Sequence, residues 1–170
     1  MARLVALLRA VNVGGTGKLP MAELVAMCEA EGFTGVRTYI ASGNVVFDCD
    51  TTPARARAAL EQRLLARAGR PVGVQVRTAA EMAAVLAANP FPDQPGNRTV
   101  AIFLDAAPPA GALQAVRNQR DERLALGRRE IYVAYGAGMA DSKLLIPAAA
   151  AGTARNMNTV ARLAAMAQAG

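Results

Sequence analysis

Histidine is absent from the 170-residue chain. Its absence removes imidazole triads, imidazole general bases and every histidine-containing zinc set, and with them the usual form of much hydrolase and metalloenzyme chemistry. Cysteine occurs twice, at Cys28 and Cys49, with no metal-ligand spacing, so no metal site is expected. Cys28 shares a helical register with Met21, Leu24 and Val25 and is expected to act as a buried small hydrophobe. The sparse cysteine content points to a reduced, cytoplasmic protein. Long hydrophobic runs are also missing. In MARLVALLRAVNV the apolar stretch between Arg3 and Arg9 is too short for a membrane span and has no small-residue cleavage site, so neither membrane association nor export is expected. Lysine appears only at Lys18 and Lys143, against 17 arginines.

What is present is an apolar, basic chain. With 53% hydrophobic residues it can bury a core as one domain or as two small halves, and a net charge of +6 favours acidic partners. Two explanations account for the arginines. G+C-rich coding favours arginine and alanine everywhere, whereas guanidinium groups chosen for phosphate contact would cluster. The arginines are spread along the chain, which favours the first explanation for most of them.

The periodicity orders the elements. Residues 3–11 read as a buried strand that stops at a glycine pair. Pro20 then opens a helix carrying Met21, Leu24, Val25 and Cys28, with Gly32 as its C-terminal cap. Residues 35–41 and 44–48 form a hairpin around Ser42-Gly43. Pro53 opens a second helix that Gly69 ends, and a strand follows at 72–77. This β-α-β-β-α-β order is ferredoxin-like. Thr78 and Glu81 make a capping box for a helix to about residue 88. The proline-rich segment 89–98 then reads as a mobile connection. A strand at 99–105, a helix at 108–120, a hairpin at 123–126 and 129–135, and a closing helix at 155–167 complete the chain. With the strand at 72–77 counted in both halves, the second half runs β-α-β-α-β-β-α. The expected fold is α+β, two ferredoxin-like (split βαβ) halves with mainly antiparallel sheets packed as one unit. Residues 1–78 form the N-terminal half and 79–170 the second.

The segment AVNVGGTGKLP at 10–20 superficially matches a phosphate-binding P-loop. In G-x-x-x-x-G-K-[ST], however, Asn12 occupies the first glycine position and Leu19 the magnesium-ligand position. G-x-G-x-x-G fails as well, because Pro20 stands in place of the third glycine. What survives is an amide-rich loop before a helix N-terminus, with Lys18 as a nearby cation. Strand alternation puts Arg9 opposite Leu4, Ala6 and Leu8. It puts Arg37 with Tyr39, so a polar cluster beside Asn12, Ser42 and Asn44 is expected if both arginines share the sheet face not covered by helices.

Three blocks, LLRAVNVGGTGKLPMAEL at 7–24, GFTGVRTYIASGNVVFD at 32–48 and TARNMNTVARL at 153–163, resemble the bacterial domain-of-unknown-function 1697 family in order. The resemblance implies special roles for Arg9, Asn12, Gly14, Gly15, Lys18, Met21, Arg37, Thr38, Tyr39, Ser42, Gly43 and Asn44, and in the last block for Arg155, Asn156 and Thr159. Ala10 and Val11 stand where the family usually has Gly and Ile, Ala41 where it has Gln, and Met157 where it has Trp. The family carries no established activity, substrate or cofactor.

The reading that follows is of a protein binding an anionic small molecule, a nucleotide or phosphorylated metabolite. The expected ligand residues are Arg9, Asn12, Gly14, Gly15, Lys18, Arg37, Tyr39, Ser42, Asn44, Arg155 and Asn156. Two alternatives stand beside it: non-specific nucleic-acid binding, weakened by strands that lack stacking aromatics, and a structural or protein-interaction domain with no ligand. No catalytic constellation, cofactor signature or oligomeric state is legible.

Overall fold

The computed structural model describes residues 1–13 and 18–169. The chain is mixed α+β and divides into two compact units, Met1–Met82 with Leu163–Gly170, and Ala83–Arg162. Each unit holds an open, four-stranded antiparallel sheet. Among the described residues no helix is long and apolar enough to cross a membrane.

The first unit runs β1 (Ala2–Leu8), α1 (Met21–Ala30), β2 (Thr34–Thr38), β3 (Asn44–Cys49), α2 (Pro53–Ala68) and β4 (Val74–Thr78), with sheet order β2-β3-β1-β4. Local chemistry explains both helix boundaries. Thr52 caps α2 by accepting from Arg55 N at 3.2 Å, and Gly69 ends it in the left-handed conformation, φ 70. At the end of α1 the chain turns through Gly32, φ 85, and Phe33 N returns to the Cys28 carbonyl at 3.1 Å. One sheet face presents Leu4, Ala6 and Leu8 of β1, Val45 and Phe47 of β3, and Val74 and Val76 of β4 to Leu24 and Cys28 of α1 and to Ala56, Leu60 and Leu64 of α2. Leu4 lies opposite Phe47, whose ring stacks on Phe33 at 4.4 Å between centroids.

The other face of this sheet is buried as well. Val5, Leu7 and Val46 are wholly enclosed, and so are Asn44, Gln75 and Arg77. This accounts for the nearly continuous apolar run of β1, since a strand covered on both sides has no polar positions to alternate. At one corner the face is closed by the chain's own last turn. Arg37 donates to the Met166 carbonyl at 2.7 Å, while Arg3 donates to the carbonyls of Ala167 and Ala169. Arg3 also pairs with Asp48, its cross-strand neighbour, at 2.9 Å.

The second unit contains β5 (Thr99–Phe103), β6 (Arg123–Leu126), β7 (Glu130–Ala134) and β8 (Thr153–Asn156), in the order β6-β7-β5-β8. This repeats the first sheet strand for strand. The connections differ: a 3-10 turn at Ala112–Ala115 stands where the first unit has α1, and two more, Gly136–Asp141 and Pro147–Ala149, stand where it has α2. Val100, Ile102, Ile131, Val133 and Ile146 form the core. Helix α3 (Ala79–Ala87) begins in the first unit and ends in the second, and α4 (Met157–Gln168) makes the reverse passage. The capping box is present, with Thr78 N on the Glu81 carboxylate at 2.9 Å and Glu81 N on Thr78 Oγ1 at 3.1 Å.

Four expectations are corrected. Residues 108–120 do not form an α-helix: the Pro108-Pro109 pair and Gly111 disfavour one, Asn118 takes φ 59, and Arg117 pairs instead with Leu145. The strand ending at Thr78 pairs only with β1 and is not shared between halves. Arg155 and Asn156 are not the start of the closing helix but belong to β8, and α4 begins one residue later because Asn156 Oδ1 accepts from Thr159 N at 2.9 Å. Segment 89–98, expected to be mobile, is tied down by buried Phe91 under the Arg123 guanidinium and by Thr99 Oγ1 on the Pro95 carbonyl.

The hydrogen bond from Arg3, with its charge and that of Arg37, holds the Asp48 carboxyl below the usual carboxylate range. A carboxyl depressed in the folded state contributes stability above its unfolded pKa and loses it as pH falls through the folded value. A double-mutant cycle with Arg3→Met and Asp48→Asn, read by urea unfolding, is expected to show coupling at neutral pH and none once Asp48 is protonated. Equal coupling at both pH values would refute this role.

Candidate functional site

Beyond Leu8, β1 gives way to strained backbone. Among the described residues, non-glycine positive φ values occur at Ala10 (55), Asn12 (56), Ile40 (51) and Asn118 (59), and the first three lie in two neighbouring loops. Such conformations persist only where surrounding contacts impose them. Here two amide side chains do so. Asn12 accepts from Leu19 N at 2.7 Å and donates to the carbonyls of Leu19 at 2.9 Å and Ala41 at 2.7 Å. It thereby ties residues 12 and 19 to each other and to the β2–β3 turn. Asn44, fully buried, donates to the Tyr39 carbonyl at 2.8 Å and to Ser42 Oγ at 2.9 Å. Asn44 thus joins the Tyr39 backbone and Ser42, and Asn12 reaches the same turn at Ala41.

Gly43 completes this junction. It takes φ 91, its carbonyl accepts from Leu8 N at 2.8 Å, and a Cβ there would lie 2.7 Å from Val11 Cγ2 and 2.9 Å from Leu8 Cβ. Only glycine satisfies both the angle and the space.

Cations gather around this end of the unit. Lys18 is exposed, and its carbonyl accepts from Arg67 Nη2 at 2.9 Å. Lys18, Arg67 and Arg70 line a shallow notch floored by Val11, Leu19, Leu64 and Val72. Arg9 leaves the end of β1 with its backbone N–H on the Gly73 carbonyl at 2.9 Å. Glu23 pairs with Arg67 at this corner. The equivalent place in the second unit, between the segment after β5 and the segment leading into β8, is a larger cavity walled by Pro108, Pro109, Ala148 and Gly152. Its lining holds one carboxylate, Asp105, and no cation.

The remaining expected residues lie elsewhere. Arg37 sits opposite Val46, which sits opposite Val5. That is four residues along β1 from Arg9, about 13 Å at the usual strand rise, so the structure does not place the two arginines side by side. Arg37 instead caps the C-terminal carbonyls of α4, a helix with no basic residue of its own in the last turn. Arg155 lies in β8 of the second unit, opposite Ala101, with its guanidinium on the Ala154 carbonyl at 2.9 Å, and burial pulls its pKa down to about 10. Asn156 caps α4. Gly14 and Gly15 lie outside the described residues. Sequence reasoning missed Arg67, Arg70 and Gly73 as neighbours of the loop. Only the return of α2 and the start of β4 bring them there.

Ala10 holds a conformation that glycine adopts without cost, and glycine is what the family usually has there. Ala10→Gly is therefore expected to stabilise the protein by about 1 kcal/mol, and Gly43→Ala to destabilise it by about 3 kcal/mol through strain plus overpacking. Chemical denaturation checks both, and the opposite order would refute the account of this junction.

The fold is similar to a solved structure of the conserved bacterial protein SP0830 from Streptococcus pneumoniae. The TM-score is 0.80 at 22% identity over 98% of this chain and 99% of that one. At that identity the likeness concerns the fold alone. No curated protein matches the chain significantly. The family profile described as "Protein of unknown function (DUF1697)" matches residues 1–132, most of the sequence and all of the strained junction, and the chain belongs to that family.

Proposed function

We propose that the first unit binds an anionic small molecule, a nucleotide or phosphorylated metabolite, at the end of β1, and that both units are ferredoxin-like halves. The fold reading is supported by the order β2-β3-β1-β4, all antiparallel with two covering helices in the first unit, and by its repetition as β6-β7-β5-β8. One contrast carries the functional reading. Lys18, from the segment before α1, and Arg67 and Arg70, from the end of α2, line one notch, while the equivalent place in the second unit has no cation in its lining. Codon usage alone would not distinguish two equivalent positions of one fold.

The form of the site suits a compact ligand. Lys18 and the arginines supply charge and forked donors, and the apolar floor of Val11, Leu19 and Val72 lowers the local dielectric, strengthening any phosphate contact. Nucleic-acid binding is less well supported. A stacking platform needs aromatic side chains on an open sheet face, and the face of the first sheet away from its helices carries Val5, Leu7 and Val46, all buried.

Thermal shift with pyrophosphate, adenosine monophosphate and ribose 5-phosphate tests the proposal. A ligand at a hundredfold excess over its Kd should stabilise by about 2.7 kcal/mol. The shift should weaken with salt and be lost in a Lys18→Ala, Arg70→Ala double variant. No shift with any phosphate would refute the proposal and favour a domain without ligand. A salt-sensitive gel shift of single-stranded RNA, with no response to small phosphates, would favour the nucleic-acid alternative.

A further inference from the structure

The second unit contains a buried carboxylate whose charge is balanced by no protein cation at contact distance. Glu122 is 6% exposed; its Oε1 accepts from Arg120 N at 2.6 Å and its Oε2 accepts from the Ser142 hydroxyl. Both donors are neutral. Among the described residues no lysine or arginine nitrogen forms an ion pair with it. The hydrogen bond from Ser142 and those from the backbone, with the Arg120 charge, hold the carboxyl below the usual carboxylate range, and the ionised group keeps lone pairs for a further positive partner.

Glu122 forms part of the wall of a cavity of about 210 Å³. At about 30 Å³ of liquid volume per water, this is room for roughly seven waters or an organic molecule of similar size. The walls carry three carboxylates, Asp121, Glu122 and Asp141, against the cations Arg120 and Lys143, so the cavity is net negative in a chain of net charge +6. The Tyr135 hydroxyl also belongs to a lining residue and has no hydrogen-bond partner among the described residues. Ser142 is already used: its hydroxyl donates to Glu122 and accepts from Leu144 N at 3.3 Å, which fixes the direction of the carboxylate.

We propose that this cavity binds a small zwitterion of the amino-acid class, its ammonium on Glu122 and its carboxylate between Arg120 and Lys143 at the rim. A simple anion meets the net negative wall, and a simple amine leaves both rim cations unused. A zwitterion satisfies both signs. The site lies in the second unit and is independent of the phosphate reading of the first.

Calorimetric titration of the full chain with alanine, ethanolamine and acetate tests it. Alanine should bind, ethanolamine about tenfold more weakly and acetate not at all. Glu122→Gln should abolish alanine binding. Because Glu122 also holds its own loop, a second variant is needed: Arg120→Gln with Lys143→Gln, both at exposed positions, should weaken alanine about tenfold, one charge contact's worth, and leave ethanolamine unchanged. The proposal is overturned if alanine does not bind at tens of millimolar, if acetate binds as well as alanine, or if the rim variant binds alanine like the parent.

Discussion

Two guanidinium groups near the start of the chain hold its end. Arg3 and Arg37 donate to carbonyls of the last turn of α4, and Asp48 fixes Arg3 between the strand and that turn. This arrangement closes one corner of the second face of the first sheet. Without cover, Val5, Leu7 and Val46 would meet water, and enclosing them fully contributes about 2 kcal/mol for each large aliphatic side chain. The contacts join residues more than a hundred apart in sequence, so they form only once both units have been traversed.

The same sheet sets the geometry at its other end. Because Leu8 is bonded to Gly43 and Arg9 to Gly73, the loops after β1 and β2 are brought side by side. Asn12 and Asn44 then supply the hydrogen bonds that backbone groups in irregular segments need. These amides explain how Ala10 and Ile40 remain left-handed without being glycine. They also give Asn12 and Asn44 a structural task.

The repeated strand order separates what the fold requires from what each unit adds. Both sheets are built alike, yet long helices cover the first and short 3-10 turns link the second. With turns in place of helices, the segments 104–109 and 148–152 line a mostly apolar cavity and the segments 120–122 and 135–143 a charged one, while the first unit uses the end of α2 to bring arginines toward Lys18.

Much of the first unit was legible in the sequence, because its signals are local. Pro53, Thr52 and Gly69 bound α2 by their own chemistry, and Thr78 with Glu81 starts α3. The hairpin at Gly43 needs a residue that tolerates positive φ. Elements defined by pairing were not legible. Four residues, Thr153–Asn156, become a strand only because β5 lies beside them, and Arg117, inside the segment expected to be helical, pairs with a distant partner, Leu145. The site divides in the same way. From residue identity alone the sequence offers Asn12, Lys18, Ser42 and Asn44 as polar candidates, since their donors and acceptors go with them wherever they fall. Tertiary structure decided which cations stand together: strand register put Arg37 about 13 Å along the sheet from Arg9, and the return of α2 brought Arg67 and Arg70 to Lys18, because distance in a folded chain is set by pairing and packing rather than by position along it.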